Sequence, residues 1–194
     1  MSFDGPMKST WTWLGDHLAL DFVNTVVCPD GTTRQELWDG PEAMEEWLEA
    51  EPESLPAPAA VSADDVGGLR RLRDHALELL DAAVREQELP GDSVEAINAA
   101  VVAAGTARVL THRARSSTVV TTSTDPLREL RGHLAAAVVD LLGREDLANL
   151  ARCGAPGCGQ YYHRSRPNQR WCSPGCGNRA RVDRHRHRRL NGEQ

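Results

Sequence analysis

Four of the five cysteines in this chain lie in two close pairs, Cys153 with Cys158 and Cys172 with Cys176. Small turn-forming residues, mostly glycine and proline, separate the partners in each pair, so two thiolates can converge on one ion at about 2.3 Å. Two such pairs predict one structural Zn²⁺ held tetrahedrally by four cysteines. Four thiolates also hold iron–sulfur clusters, and the spacing alone leaves that alternative open.

The chain shows no pattern for export or membrane insertion, which bears on the redox state of these thiols. No run approaches the roughly 18 apolar residues of a membrane span, and the first residues lack a secretory signal pattern. We therefore expect a cytoplasmic protein with no membrane partner, in which thiols stay reduced. Residues 151–194 contain few apolar side chains, so we expect the metal to supply on the order of 10 kcal/mol of their folding free energy. The fifth cysteine, Cys28, is interpreted as a small buried apolar residue.

Charge divides the chain where the cysteines begin. Residues 152–194 contain ten arginines and two acidic residues, a net charge of +8 with neutral histidines, whereas residues 1–151 carry −14. An acidic body with a basic end is typical of a regulator that binds nucleic acid through that end.

The basic segment predicts a small treble-clef-like zinc finger. Residues 160–163 and 169–172 are predicted to be two short strands around a turn at 165–168. Ser173 as N-cap and Pro174 at the first position then favour a helix to about residue 190, with Cys176 in its first turn. The predicted hairpin and this helix carry the predicted DNA contacts, which are all arginines: Arg166, Arg170, Arg179, Arg181, Arg184 and Arg188.

Three interpretations of the arginines remain open: contact with the phosphates of double-stranded DNA, a solvated tail, or docking on the acidic body. A rival from another class is a zinc-dependent protein-interaction or RNA-binding module, in which Tyr161, Tyr162 and Trp171 stack on unpaired bases. One finger buries a small interface, so the DNA interpretation also expects a homodimer or a second DNA-binding partner.

Residues 1–150 are predicted to form one mostly helical α+β domain, followed by the finger at 151–194. Helices are expected from Asp16 as cap to about residue 26, at 41–49, from Ser62 to about residue 88, at 92–104, and at 125–142 with Thr124 as cap. Short strands are expected at 11–14 and 34–38, and a hairpin is expected from the runs 107–112 and 117–123.

The N-terminal domain contains no recognisable catalytic motif, so we predict no enzyme. Asp21 and Asn24 are a polar pair on an otherwise apolar helix. They are interpreted either as part of a pocket that senses a small ligand, or as structural groups that hydrogen-bond a neighbouring strand or helix end. An enzyme with an unrecognised site in this domain is the remaining alternative. Zinc catalysis at the four cysteines is not expected, since four protein ligands leave no open position.

Two motifs resemble known families. The tetrapeptide C-G-N-R at 176–179, preceded by R-W-C-S at 170–173, resembles the CGNR zinc finger family. The run G-D-H-L-A-L-D-F-V-N-T at 15–25 is similar to the opening motif of the ABATE domain, which usually precedes that finger in bacterial proteins. The resemblance spans nearly the whole chain. It implies a stress-induced bacterial transcriptional regulator with an α+β N-terminal domain and a zinc-dependent, DNA-binding finger.

Overall fold

A computed structural model describes residue 11 and residues 17–28, 33–51, 55–110 and 117–190 of the chain. Within these ranges the protein is α+β, as predicted, with six α-helices and three two-stranded antiparallel sheets. The helices are α1 Leu18–Val23, α2 Pro41–Ala50, α3 Ala63–Val84, α4 Gly91–Ala104, α5 Pro126–Leu142 and α6 Pro174–Leu190. The strands are β1 Val26–Val27, β2 Gln35–Glu36, β3 Ala107–Leu110, β4 Ser117–Val120, β5 Leu150–Arg152 and β6 Tyr161–His163.

Local sequence signals set most helix boundaries. The Ser62 hydroxyl accepts a hydrogen bond from the Asp65 amide at 3.2 Å while the Asp65 carboxylate accepts from the Ser62 amide at 2.9 Å, a capping box that begins α3. The cap of α5 is Asp125, whose carboxylate accepts from the Leu127 amide at 3.0 Å, and not Thr124 as expected. Helix α4 stops at Gly105, which adopts a left-handed φ of 63°.

Other expected elements differ from those observed. Helix α1 ends at Val23 and not near residue 26, because Val26 and Val27 pair with Glu36 and Gln35 in the β1–β2 sheet. The strand expected at 11–14 lies outside the described residues, except for Trp11. The cap of α1 is His17, whose Nδ1 accepts from the Ala19 amide at 3.2 Å, and not Asp16 as expected. Strand β3 pairs with β4 from Ala107 opposite Val120, which confirms the predicted hairpin in a shorter form.

The core of the N-terminal domain forms around α1, all six of whose residues are buried. This helix packs against α3 and α5, and Phe22 meets Trp38, which in turn lies edge-on to Trp47 at 5.1 Å between ring centroids. Burying side chains of this size contributes about 1.5–3 kcal/mol each. Gly132 permits the close crossing of α4 and α5, since a β-carbon there would lie 2.3 Å from that of Ala104.

A buried arginine ties the β1–β2 sheet to α3. The Arg73 guanidinium donates to the Glu36 carboxylate and, at 2.8 Å, to the Thr25 hydroxyl, and it lies 5.4 Å from the centroid of the Trp38 ring. Pairing, hydrogen bonding and the aromatic face together offset part of the cost of burying this charge.

Among the helices in the described ranges, none is both long and apolar enough to cross a membrane.

Candidate metal centre and basic helix

The first cysteine pair lies in the turn between β5 and β6. Residues 150–163, here called the knuckle hairpin, pair from Leu150 opposite His163 to Arg152 opposite Tyr161. The Cys153 amide donates to the Gln160 carbonyl at 2.8 Å, and the Cys158 amide to the Ala155 carbonyl at 3.1 Å. Gly157 and Gly159 both have a φ of 73°, which other residues rarely adopt. This turn geometry brings Cys153 and Cys158 to the same side of the hairpin end.

The predicted strand at 169–172 is absent from the described structure, and β6 pairs with β5. The turn at 165–168 is present, closed by the Gln169 side chain. Its amide oxygen accepts from the Ser165 amide at 2.9 Å, and its nitrogen donates to the Trp171 carbonyl at 3.0 Å. Gln169 thus closes its own loop, and the segment 169–172 reaches α6 without a strand partner among the described residues.

The second cysteine pair is placed by the start of α6. The Ser173 hydroxyl accepts from the Cys176 amide at 3.2 Å, and Pro174 is the first helical residue, as the sequence predicts. Cys172 lies just before the cap and Cys176 in the first turn, where the positive end of the helix dipole favours a thiolate.

The four sulfur atoms fit a tetrahedral zinc ion. All four lie within 4.8 Å of one another, with 3.6 Å between the sulfurs of Cys158 and Cys172 and 3.3 Å between those of Cys172 and Cys176. Four Zn–S bonds of about 2.3 Å give tetrahedral edges of about 3.8 Å, and the observed separations are close to that value. An all-thiolate donor set in this geometry suits Zn²⁺ and leaves no position for substrate.

Without a cation the thiols cannot all ionise. Hydrogen bonds from Cys158 and Cys172 lower the pKa of the Cys153 thiol to about 2. The same contact with Cys153 raises the pKa of Cys158 to about 12 and raises that of Cys172. Ionisation of Cys153 therefore opposes ionisation of Cys158 and Cys172, and the charge of a bound metal would favour their thiolate forms.

Residues of the C-G-N-R motif surround the sulfurs. The Arg179 guanidinium donates to the Cys176 sulfur at 2.9 Å, which compensates part of the negative charge of a four-thiolate site. Gly177 leaves room for Trp171, since a β-carbon at Gly177 would lie 3.2 Å from Trp171 Cδ1. The predicted DNA contact Arg179 is therefore placed at the metal site, apart from the other helix arginines.

The remaining helix arginines form a basic face. Arg181, Arg184, His185 and Arg188 line one shallow concavity on α6, and all four are exposed. Arg166 and Arg170 are also exposed, in the loop that precedes α6, and the Arg170 guanidinium lies over the Trp171 ring. The assignment of these residues to DNA stays a prediction.

The knuckle hairpin is bound to the N-terminal domain through Asn24. Its side-chain nitrogen donates to the Tyr161 carbonyl and its oxygen accepts from the Tyr161 amide, both at 2.9 Å. The Tyr161 hydroxyl donates to Asp81 on α3, and the Cys28 amide donates to the Cys158 carbonyl at 3.2 Å. Sequence reasoning missed this interface, although it considered a structural role for Asn24.

The polar pair on α1 is thus split. The side-chain amide of Asn24 uses both its nitrogen and its oxygen in hydrogen bonds to β6. This is the kind of contact expected if Asn24 has a structural role. Asp21 is buried beside it. A cavity of about 520 Å³ lies between α1, the β3–β4 hairpin and α5, but it is lined by His17, Arg108 and their neighbours, not by Asp21 or Asn24. Ligand binding by this pair stays a prediction.

Comparison with known families gives two matches. The ABATE family model, described as "Putative stress-induced transcription regulator", matches residues 16–145, and the CGNR zinc finger model matches residues 149–189. Both confirm the resemblance predicted from the two motifs, and neither description names an enzymatic activity. A search of curated proteins finds no match for the chain. The matched finger and the four clustered cysteines together identify the cofactor as one structural Zn²⁺.

Proposed function

Because this chain belongs to the ABATE family and carries a CGNR zinc finger, we propose that it regulates transcription by binding double-stranded DNA through α6. The observation that supports the proposal is the basic face of α6, which is anchored at one end by the zinc site and exposed along the rest. Helix α6 carries six arginines and one aspartate, a net charge of +5 with neutral histidines.

The packing of α6 leaves this face available. Cys176 and Ala180 are its buried residues, and beyond Ala180 the described side chains are exposed except for Asp183, which is intermediate. The arginines of α6 make no ion pair with a body carboxylate in the described part of the chain, which disfavours docking of the basic helix on the acidic body. A helix of 17 residues is about 25 Å long and fits the major groove, about 12 Å wide.

One helix contacts few base pairs, so we propose that the protein binds as a homodimer or beside a second DNA-binding protein. A dimer would place two copies of α6 on half-sites one helical turn apart, about 34 Å. The N-terminal domain, which contributes most of the buried core, would carry the dimer contacts or the signal-receiving site.

The RNA-binding alternative loses its main support in this structure. Tyr161 and Tyr162 are each 3% exposed, because Tyr161 packs into the core of the N-terminal domain and Tyr162 packs beside the cysteines. Neither ring can stack on an unpaired base without unfolding the knuckle hairpin. Trp171 is partly buried against the same cluster.

The test is a salt titration of binding to duplex DNA by fluorescence anisotropy, with single-stranded RNA of equal length as the competing ligand. The double variant Arg181→Ala/Arg184→Ala should weaken duplex binding and reduce the salt slope by about 2, near 0.9 for each lost phosphate contact. Arg186→Ala/Arg189→Ala is the matched control, since it also removes two charges and both arginines are exposed on the same helix but do not line the basic face.

The outcomes separate the candidates. Wild type that binds duplex at low salt with a steep slope, and a control variant that changes the slope less than Arg181→Ala/Arg184→Ala, support the proposal. No binding to duplex at low salt, or tighter binding to single-stranded RNA, would overturn it.

A further inference from the structure

The arginines of the N-terminal domain fall into two groups. Six of the nine in the described ranges pair with a carboxylate: Arg34, Arg70, Arg73, Arg85, Arg108 and Arg144. The other three, Arg71, Arg128 and Arg131, have no carboxylate partner among the described residues. Acidic partners are abundant in a domain with a net charge of −14 over residues 1–151, yet these three arginines, of which Arg71 and Arg128 are exposed and Arg131 is half-buried, pair with none of them in the described ranges.

All three unpaired arginines line one cavity. It has a volume of about 510 Å³ and lies between α3, which carries Arg71, and α4 and the start of α5, which carries Arg128 and Arg131. We call this cavity the arginine pocket. Its volume is within the range of small-molecule sites, about 300–1,000 Å³.

Two of the guanidinium groups converge on the same point. A β-carbon built at Gly68 would lie 3.8 Å from Nη1 of Arg131 and 3.8 Å from Nη2 of Arg71. Both groups thus lie over the backbone of Gly68, close enough for their like charges to repel, and the repulsion is relieved when an anion binds between them.

The other groups in the arginine pocket suit an anion with an apolar part. Helix α4 contributes the methyl groups of Ala96, Ala99, Ala100 and Ala103. The one lining carboxylate, Asp125, already caps α5 through the Leu127 amide at 3.0 Å. His75 also lines the pocket, and its Nδ1 contacts the Ser93 hydroxyl at 3.0 Å. Charge is thus concentrated on one side and apolar surface on the other.

We propose that the arginine pocket binds a small organic anion, a phosphate ester or carboxylate whose apolar part packs on the alanines of α4. Its acidic group would lie between Arg71 and Arg131, with Arg128 at the rim. That this anion is the signal received by the regulator rests on the proposed function. The pocket and the knuckle hairpin share α3, which carries Arg71 and also Asp81, the partner of Tyr161.

Isothermal titration calorimetry on the full, zinc-loaded chain tests binding with phenyl phosphate as the probe. Inorganic phosphate supplies the charge alone and phenol the ring alone. We expect phenyl phosphate to bind with a Kd of about 1 mM or tighter, typical of a ligand of this size, and each half-probe to bind at least about tenfold more weakly.

Variants locate the site. Arg71→Gln and Arg131→Gln should each weaken phenyl phosphate binding by about tenfold or more, since a charge-assisted contact is lost. Arg85→Gln is the matched control, an arginine at the end of α3 that pairs with Asp81 and does not line the pocket. Without probe, the pocket variants should melt no lower than wild type, because they remove repulsion and no partner.

Absence of phenyl phosphate binding at millimolar concentration, or equal binding by the pocket variants, would overturn the proposal. So would equal binding of inorganic phosphate, which would show an anion site without the apolar part. Duplex binding is measured separately and without probe. If the chain binds phenyl phosphate but not DNA, the arginine pocket is supported and the proposed function is overturned. If it binds DNA but not phenyl phosphate, the proposed function is supported and the arginine pocket is overturned.

Discussion

The knuckle hairpin and α6 belong to the same zinc finger but differ in what surrounds them. Leu150 and Tyr161 of the knuckle hairpin are part of the core of the N-terminal domain, and Asn24 bonds both backbone groups of Tyr161. Helix α6 buries Cys176 and Ala180 and exposes most of its basic residues. One half of the finger is built into the body, and the other half is presented to solvent.

The metal joins these two halves. Cys153 and Cys158 come from the knuckle hairpin, and Cys172 and Cys176 come from the start of α6. Zinc therefore fixes an exposed basic helix to a hairpin that is part of the body core. The division of the chain at residue 150 stays a prediction about its organisation, and the packing of Leu150 and Tyr161 shows that side-chain contacts cross it.

The largest expected effect comes from removing the metal. Cys172→Ser, or a chelator added to wild type, should release zinc and destabilise the N-terminal domain as well as the finger. Structural zinc contributes on the order of 10 kcal/mol to small fingers, and the knuckle hairpin shares the core around Tyr161. We expect a fall of several kcal/mol in the free energy of unfolding and faster amide exchange in α1, measured by calorimetry and hydrogen exchange.

Cys28→Ser is the control for that experiment. Cys28 is a buried thiol outside the metal site. This variant should therefore retain zinc, and amide exchange in α1 should stay as slow as in the wild type. If metal-free Cys172→Ser left the unfolding transition of the N-terminal domain unchanged, the knuckle hairpin would contribute as little to that core as α6 does. That result would contradict the difference between the two halves of the finger.

The next effect tests the pair of hydrogen bonds between the Asn24 side chain and Tyr161 of β6, here called the clamp. Asn24→Ala leaves the buried amide and carbonyl of Tyr161 without their side-chain partner, at about 1–3 kcal/mol for each unsatisfied group. We expect a loss of about 3 kcal/mol in chemical denaturation, with zinc content unchanged. Asn178→Ala is the matched control on α6, where Asn178 is exposed, and should change stability by less than about 0.5 kcal/mol. Equal stability of the two variants would show that the clamp contributes little.

Most signals close together in the sequence predicted their part of the structure, although two caps lie one residue further along than expected, at His17 and Asp125. Ser62 with Asp65, Ser173 with Pro174, and the two cysteine pairs each act within a few residues. Capping, turn formation and metal chelation depend on residues a few positions apart, so they can be predicted from the sequence. The metal site was therefore predictable in full as to its ligands.

Contacts between distant segments were not predictable in the same way. Asn24 and Tyr161 are 137 positions apart, and nothing local indicates that the carboxamide at the C-terminal end of α1 meets β6. The expected strand at 169–172 was wrong because β5, just before the first cysteine, is the partner of β6. The spacing of Arg179 suggests a surface position, and Arg179 is exposed, but the contact of its guanidinium with the Cys176 sulfur three residues away was not predicted.

A smaller effect concerns the tyrosine hydroxyl at the interface. Burial and the hydrogen bond to Asp81 raise the pKa of Tyr161 above its ordinary value of about 10. The unfolded state therefore loses this proton first, and the stabilisation is complete below pH 10 and is lost as the pH rises above it. Tyr161→Phe should cost about 1–2 kcal/mol at pH 7 and should show a shallower loss of stability between about pH 9 and 11. Parallel curves for the two proteins would rule out this coupling.

The smallest effect compares two serine caps, one in each region. Ser62 caps α3 within the body and Ser173 caps α6. Either change to alanine removes one capping bond, worth about 1 kcal/mol.

Ser62→Ala should lower the free energy of unfolding of the body by that amount and leave duplex binding unchanged. Ser173→Ala should leave the body nearly unchanged, because α6 packs little on it, and should weaken zinc retention against a chelator and duplex binding. If both variants destabilise the body equally, α6 is as integral to the core as the knuckle hairpin.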